Sequence, residues 1–330
     1  MTKECNVRTR KIKKSRGLPS PRQMIFCFMS LFSLALILRN SDVAIEYMSR
    51  GLRLCATTLI PSLFPFMVIS ELIVSSGAVS LLGKSLRAPM RLLFGVSGES
   101  GCAVILGALC GFPIGAKAAV AVYDSGRMSK KELERVLTFS NNPSAAFMIS
   151  AVGSSLFGSR ALGIALYGAT LVSAATVRIG MNIASSKKVL PKEALPQSTE
   201  PPREVKLRAS DFTNAVTSSA LGVLNVCAFV IFFTAFLGTL SSALSASALP
   251  PPLCAIIFGF FELTGGISEA ATLPHRTGAV VAAFISGWSG LSVHFQIMSI
   301  CADRDVSFKP YFAAKLMQGA LAAAIIFLFV

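Results

Sequence analysis

Nine long stretches of this chain carry almost no charge, and that pattern leaves few folds open. They are Gln23–Leu38, Thr58–Ser76, Cys102–Tyr123, Val136–Val152, Ala161–Met181, Phe212–Leu240, Pro250–Ala271, Thr277–Cys301 and Tyr311–Val330. Crossing the hydrocarbon of a bilayer takes about 20 apolar residues, within a range of roughly 17–25. A soluble core of this size has no use for so many. Only 14% of the residues are charged, against about 25% in ordinary globular domains. Such a surface stays in solution only if lipid covers it. The expected class is an all-α integral membrane protein of the bacterial cell membrane, multi-pass and without catalytic activity.

The net charge is +15. In a soluble chain that excess would suggest nucleic acid. Here the Lys and Arg residues sit in short segments between apolar blocks, as membrane topology requires, so no nucleic-acid partner is expected. The eight cysteines form no C-x-x-C pair and lie mostly inside apolar blocks. They read as small buried hydrophobes, with no disulfide framework, metal or cofactor. The basic run before Gln23 also resembles the start of a signal peptide. No small-x-small cleavage site follows, so Gln23–Leu38 is taken as a retained first helix.

Orientation follows from the positive-inside rule. If every block crossed once, Arg127, Lys130, Lys131 and Arg135 would lie outside. Making Cys102–Tyr123 re-entrant removes the conflict, and Gly111-Phe112-Pro113-Ile114-Gly115 breaks that block in its middle. Proline lacks the donor and glycine weakens the helix. Pro250–Ala271 is similarly interrupted by Thr264-Gly265-Gly266. With both blocks re-entrant, the inside segments hold 23 Lys and Arg and the outside segments five. The N-terminus is then cytoplasmic and Val330 lies opposite.

The expected architecture is about seven spanning helices plus two re-entrant helical hairpins, in an inverted-repeat transporter-like bundle. Residues 1–57 hold the basic N-terminus, the first helix and an interfacial amphipathic helix over Asp42–Cys55. Residues 58–183 form the first unit, 184–211 a cytoplasmic linker rich in Lys, Glu, Pro and Ser, and 212–330 the second unit. Each unit runs helix, hairpin, helix, helix. Gly107–Lys117 aligns loosely with Gly259–Glu269, and Ser140–Phe147 with Ser286–Phe295. Inverted repeats with paired interrupted segments are a mark of secondary transporters.

Three places carry candidate chemistry. The first is Gly111, Phe112, Pro113, Gly115 and Lys117. Unpaired N–H groups at a half-helix start attract anions, and Lys117 adds a full charge. The competing reading is that Lys117 snorkels, or pairs with Glu132 or Asp124. The second is Asn141, Asn142 and Ser144 around Pro143: either an unwound substrate-contact segment or an interhelical hydrogen-bond knot. It aligns with Ser286, Trp288 and Ser289. The third is Glu262 with Thr264, Gly265 and Gly266. A carboxylate here would accept a proton for coupling, or pair with Lys117 across the hairpins. Glu269 has the further option of plain exposure. Glu71 marks a cavity on its helix, and His294 reads as a packed histidine. No H-E-x-x-H, G-x-S-x-G or Walker A pattern is present.

The run Gly51–Ile73, the segment Gly107–Lys117, Ser125–Ser144 and the Gly-Trp-Ser-Gly of the second half together resemble the sporulation integral membrane protein YlbJ family. The resemblance covers most of Gly51–Val330 in order. It implies two nucleoside-recognition Gate domains, a spore-forming bacterium, and movement of dipicolinic acid across the outer forespore membrane towards the forespore. Dipicolinate is a small planar dianion, which suits a lysine and half-helix N-termini. The rival functions are a non-transporting membrane scaffold for sporulation factors and a carrier of a nucleoside-like solute.

Overall fold

The computed structural model describes residues 21–76, 85–185, 209–243 and 249–330. The basic N-terminal segment and nearly all of the linker over 184–211 lie outside the described residues. Among the described residues there is helix and no strand. Among the described residues, five helices are long and apolar enough to cross a membrane, where the sequence suggested about seven spans in the whole chain. The reason lies in two of the expected spans. Val136–Val152 is interrupted at its centre, and the apolar part of α1 (Pro21–Arg39) belongs with the shorter apolar helices.

The amphipathic stretch Asp42–Cys55 is not a separate helix. α2 (Ser41–Leu54) runs through a π-helical turn at Cys55–Leu59 into α3 (Ile60–Ser75), and the backbone stays right-handed helical across both joints. α2 and α3 both pack along α8 (Ala209–Ala243). The close approach uses glycine. A Cβ on Gly238 would stand 2.1 Å from the Tyr47 ring, and one on Gly51 3.1 Å from the Ile231 Cα. α2 is amphipathic because one face must meet α8.

Cys102–Tyr123 is a hairpin of two short helices, α4 (Ser100–Cys110) and α5 (Ile114–Asp124). The turn between them holds Gly111 at φ 81° and a cis Phe112–Pro113 peptide. α4 and α5 cross at Gly107 and Gly115, where a Cβ on either residue would lie 3.1 Å from the other's Cα. Pro250–Ala271 is likewise two helices, α9 (Pro251–Phe261) and α10 (Leu263–Ala270). They cross at Gly259 and Gly266, where a Cβ on Gly266 would lie 2.1 Å from the Gly259 Cα. Here the break is not at Thr264-Gly265-Gly266. It is at Glu262, which is extended (φ −139°, ψ 120°), and the two glycines belong to α10.

Two further helices are broken. α6 (Lys130–Ser140) ends at Asn141, and a π-helical stretch resumes at Phe147–Leu156. α11 (His275–Trp288) ends at Ser289 in the left-handed region, φ 77°, and α12 (Gly290–Ile300) follows. The last helix of each half, α7 (Arg160–Ser185) and α13 (Lys309–Phe329), packs on its fellow. Each also packs on the broken helix of the other half, α7 on α11 and α13 on α6. Large apolar side chains such as Leu221, Leu224 and Phe232 of α8 point outward, as lipid contact requires. α11 and α12 are the most deeply buried of the long helices.

Candidate functional site

The first hairpin tip sits on the first break. Pro143 restricts Asn142 to extended backbone, so α6 stops and its last carbonyls need partners. The two asparagine side chains supply some: Asn141 Nδ2 donates to Leu137 O at 3.2 Å and Asn142 Nδ2 to Phe139 O at 2.9 Å. The Asn142 carbonyl accepts from Phe112 N at the hairpin tip, 2.9 Å away. The Asn141 carbonyl accepts from Lys315 Nζ. Gly111 lies so close to Ser144 that a Cβ would come within 2.6 Å of its nitrogen. Ser144 Oγ accepts from Phe147 N at 3.1 Å and so starts the next helical stretch.

Lys315 and Gln318 are the residues that sequence reasoning missed. Both are fully buried. The Lys315 ammonium also donates to Gln318 Oε1 at 2.9 Å and to Asn142 Oδ1 at 3.4 Å. Gln318 Nε2 donates to Asn142 Oδ1 at 2.7 Å and to Thr170 O at 3.1 Å. All three ammonium donors therefore go to neutral oxygens, and Lys315 forms no ion pair among the described residues. The signal was present as Lys315 and Gln318 three residues apart in an apolar span, on one helix face.

The second hairpin tip sits on the second break in a comparable way. Glu262 caps α10, its carboxylate accepting from Thr264 N at 3.0 Å and Gly265 N at 2.6 Å. Gly290, at φ 81°, lies against Leu263, and a Cβ there would be 2.9 Å from the Leu263 nitrogen. Trp288 Nε1 donates to Phe260 O at 2.9 Å, and its ring stacks on Phe260 with centroids 5.1 Å apart. Ser289 Oγ donates to Ser286 O at 3.3 Å. Ser286 Oγ donates to Ala282 O at 2.7 Å.

Both hairpin tips and the first break border one cavity of about 30 Å³, and the start of α12, just past the second break, borders it too. Phe112, Pro143 and Ser144 line one side, and Glu262, Leu263 and Thr264 the other. Ser292, Val293 and Gln296 of α12 close it, with Leu59, Leu63, Phe147, Val226 and Val230 as apolar walls. Its volume suits a water or two, so a larger solute enters only when the walls part. Of the expected residues, Phe112, Ser144, Glu262 and Thr264 meet here. Asn141 and Asn142 stand behind the break with Lys315. Gly115 and Gly266 serve helix crossings, Gly265 donates to Glu262, and Trp288 packs on the second hairpin. Gly111, Pro113, Ser286 and Ser289 shape the tips and breaks.

Lys117 is elsewhere, and this corrects its expected pairing with Glu262. The Glu262 carboxylate is occupied by backbone N–H groups, and Lys117 lines a separate cavity with Glu71 and Asp124. Neither alternative partner holds it. Glu132 accepts from Ser97 N at 2.5 Å and Ser100 Oγ at 2.6 Å. Asp124 pairs with Arg304 at 2.6 Å, and that guanidinium holds the Asp124 carboxyl below its usual range. Glu269 is exposed. His294 is a packed histidine, its Nδ1 lying 2.8 Å from the Tyr311 hydroxyl.

The chain is 31% identical to the sporulation integral membrane protein YlbJ of Bacillus subtilis (strain 168), over 90% of this chain and 80% of that protein. No family model and no solved structure matches it. Identity at this level over nearly the whole length decides the relationship: the chain belongs to the family of the sporulation integral membrane protein YlbJ.

Proposed function

We propose that this protein is a transporter of a small anionic metabolite, dipicolinate being the substrate that the resemblance implies, across the outer forespore membrane. In this reading, the two halves are inverted Gate-like repeats with the N-terminus in the cytoplasm. The observation that carries it is the meeting of two hairpin tips and the first helix break at one cavity, with the second break packed against the second tip. Irregular backbone at membrane depth is tolerated where protein or a polar cavity covers it. A scaffold has no use for four such breaks in one place. Lys315 brings a buried positive charge, without a counter-ion among the described residues, to the wall behind Asn142. An anion in the cavity would complete that charge balance.

Glu262 on the opposite wall would repel a dianion unless its carboxyl takes up a proton. Anion entry and proton uptake are therefore coupled in this proposal, with Glu262 as the proton's acceptor. The test is uptake of labelled dipicolinate into proteoliposomes with and without a pH gradient. Wild-type protein should accumulate dipicolinate, and faster under the gradient. Empty-vesicle rates under both conditions would overturn the reading. Glu262→Gln retains one oxygen to cap α10, so it should insert normally. Its uptake should no longer respond to the gradient. An unchanged response in this variant removes Glu262 from the coupling.

A further inference from the structure

Three of the elements that wall the central cavity also wall the second one, which is larger at about 270 Å³. On α3 and the π-helical turn that leads into it, Leu63 and Leu59 face the centre, and Met67, Ser70 and Glu71 face the second cavity. On α8, Val230 and Val226 give way to Ser218. On α12 and beyond, Val293 and Gln296 give way to Ile300 and Arg304. Steps of three and four residues stay on one helix face, so the cavities follow one another along a shared set of faces. Gly222 stands on the α8 face, midway between Val226 and Ser218. A Cβ there would be 2.5 Å from Met67 Cε and 2.9 Å from Lys117 Nζ. Both side-chain ends rest on the bare backbone of this one residue.

We infer that the two cavities are successive chambers of a single route, and that the larger is an entry site for the carried anion, closed off from the centre by Met67 and Lys117 seated over Gly222. This rests on the transport reading above. The entry chamber ends at the Asp124–Arg304 pair, beside the basic segment Arg127–Arg135 that the positive-inside rule places in the cytoplasm. Lys117 is half-buried and forms no ion pair among the described residues, so it is free to turn to an arriving carboxylate. That turn lifts the ammonium from Gly222 and thins the partition. The anion then favours the opened state through a contact absent from the closed one.

The route is tested by thiol labelling of the full-length protein in oriented vesicles, with Cys5, Cys27 and Cys254 replaced by serine. The other cysteines are buried. A membrane-impermeant thiol reagent should modify Ser218→Cys from the cytoplasmic face and react far more slowly with Val226→Cys. Adding Met67→Ala and Lys117→Ala removes the partition and should speed Val226→Cys labelling about tenfold. No reaction of Ser218→Cys from the cytoplasmic face overturns the route, and so does a Val226→Cys rate that ignores the double substitution. Ser218→Cys is a near-isosteric change that leaves the fold intact, so its result stands even if the multiple variant misfolds. Labelling needs no substrate. If wild type carries no dipicolinate but the labelling pattern holds, the substrate reading fails and the route stands; the reverse result sinks the route alone.

Discussion

Lys315→Met is expected to insert and fold but to take up dipicolinate at the rate of empty vesicles. The ammonium is fully buried and is held by Asn141 O, Asn142 Oδ1 and Gln318 Oε1. Burying it costs several kcal/mol, and methionine of similar length removes that cost. Against this stand the acceptors left without their donor, at about 1–3 kcal/mol each where no other partner remains. Gln318 Nε2 still serves Asn142 Oδ1, which limits the loss. Stability should therefore change by only a few kcal/mol, read as a modest shift in detergent melting. Function should not survive, because the cation behind the break is gone. Lys315→Arg should not restore it, since a planar guanidinium needs more room and a different set of acceptors. Wild-type uptake by Lys315→Met would reduce the lysine to a strut.

Gly107→Ala should be the most damaging alanine substitution among the described glycines. The new Cβ would lie 1.7 Å from the Ser140 carbonyl oxygen and 3.1 Å from the Gly115 Cα. Both obstacles are backbone, so no side-chain rotation relieves them. Overpacking with room to adjust costs about 1–3 kcal/mol, and this site should exceed that and leave an aggregated protein. The matched control is Gly168→Ala on α7, where nothing lies within 4 Å of the added carbon. There the alanine should be neutral or stabilising by about 0.5–1 kcal/mol through helix propensity. Size-exclusion profiles and melting curves of the pair decide the matter. Equal behaviour would mean that the hairpin does not cross α6 as closely as described.

The ease of reading each break followed from the residue that makes it. The Gly111–Pro113 turn interrupts an apolar run with residues that cannot continue a helix, so it was legible in advance; Pro143 carried the same sign, but Val136–Val152 was still counted as one span and its unwinding stood as one of two readings. Glu262 was misread because helix-breaking signs cluster two residues later, at Gly265 and Gly266. Those glycines are there for the crossing with Gly259, a tertiary reason that local propensity cannot express. Ser289 in a left-handed conformation was beyond reach for the same reason: Gly290 and the Leu263 backbone dictate it. Lys315 was missed because its acceptors Asn141 and Asn142 lie 174 and 173 residues away in sequence. The continuity of α2 and α3 was hidden because an amphipathic segment reads alike whether its polar-free face meets lipid or α8.

The π-helical turns at Cys55–Leu59 and Phe147–Leu156 each carry more residues per turn than the α-helix they interrupt. Leu59 and Phe147, one from each, both stand on the central cavity. A surplus residue is length held in reserve. Tightening such a turn to α-helical winding exchanges one set of backbone bonds for another, and it swings the adjoining stretch by roughly 100° and draws it along by about 1.5 Å. Two walls of the cavity thus have slack at their own bases. They can rotate relative to the rest of the bundle without exposing an N–H or a carbonyl to lipid, the one change a membrane does not forgive.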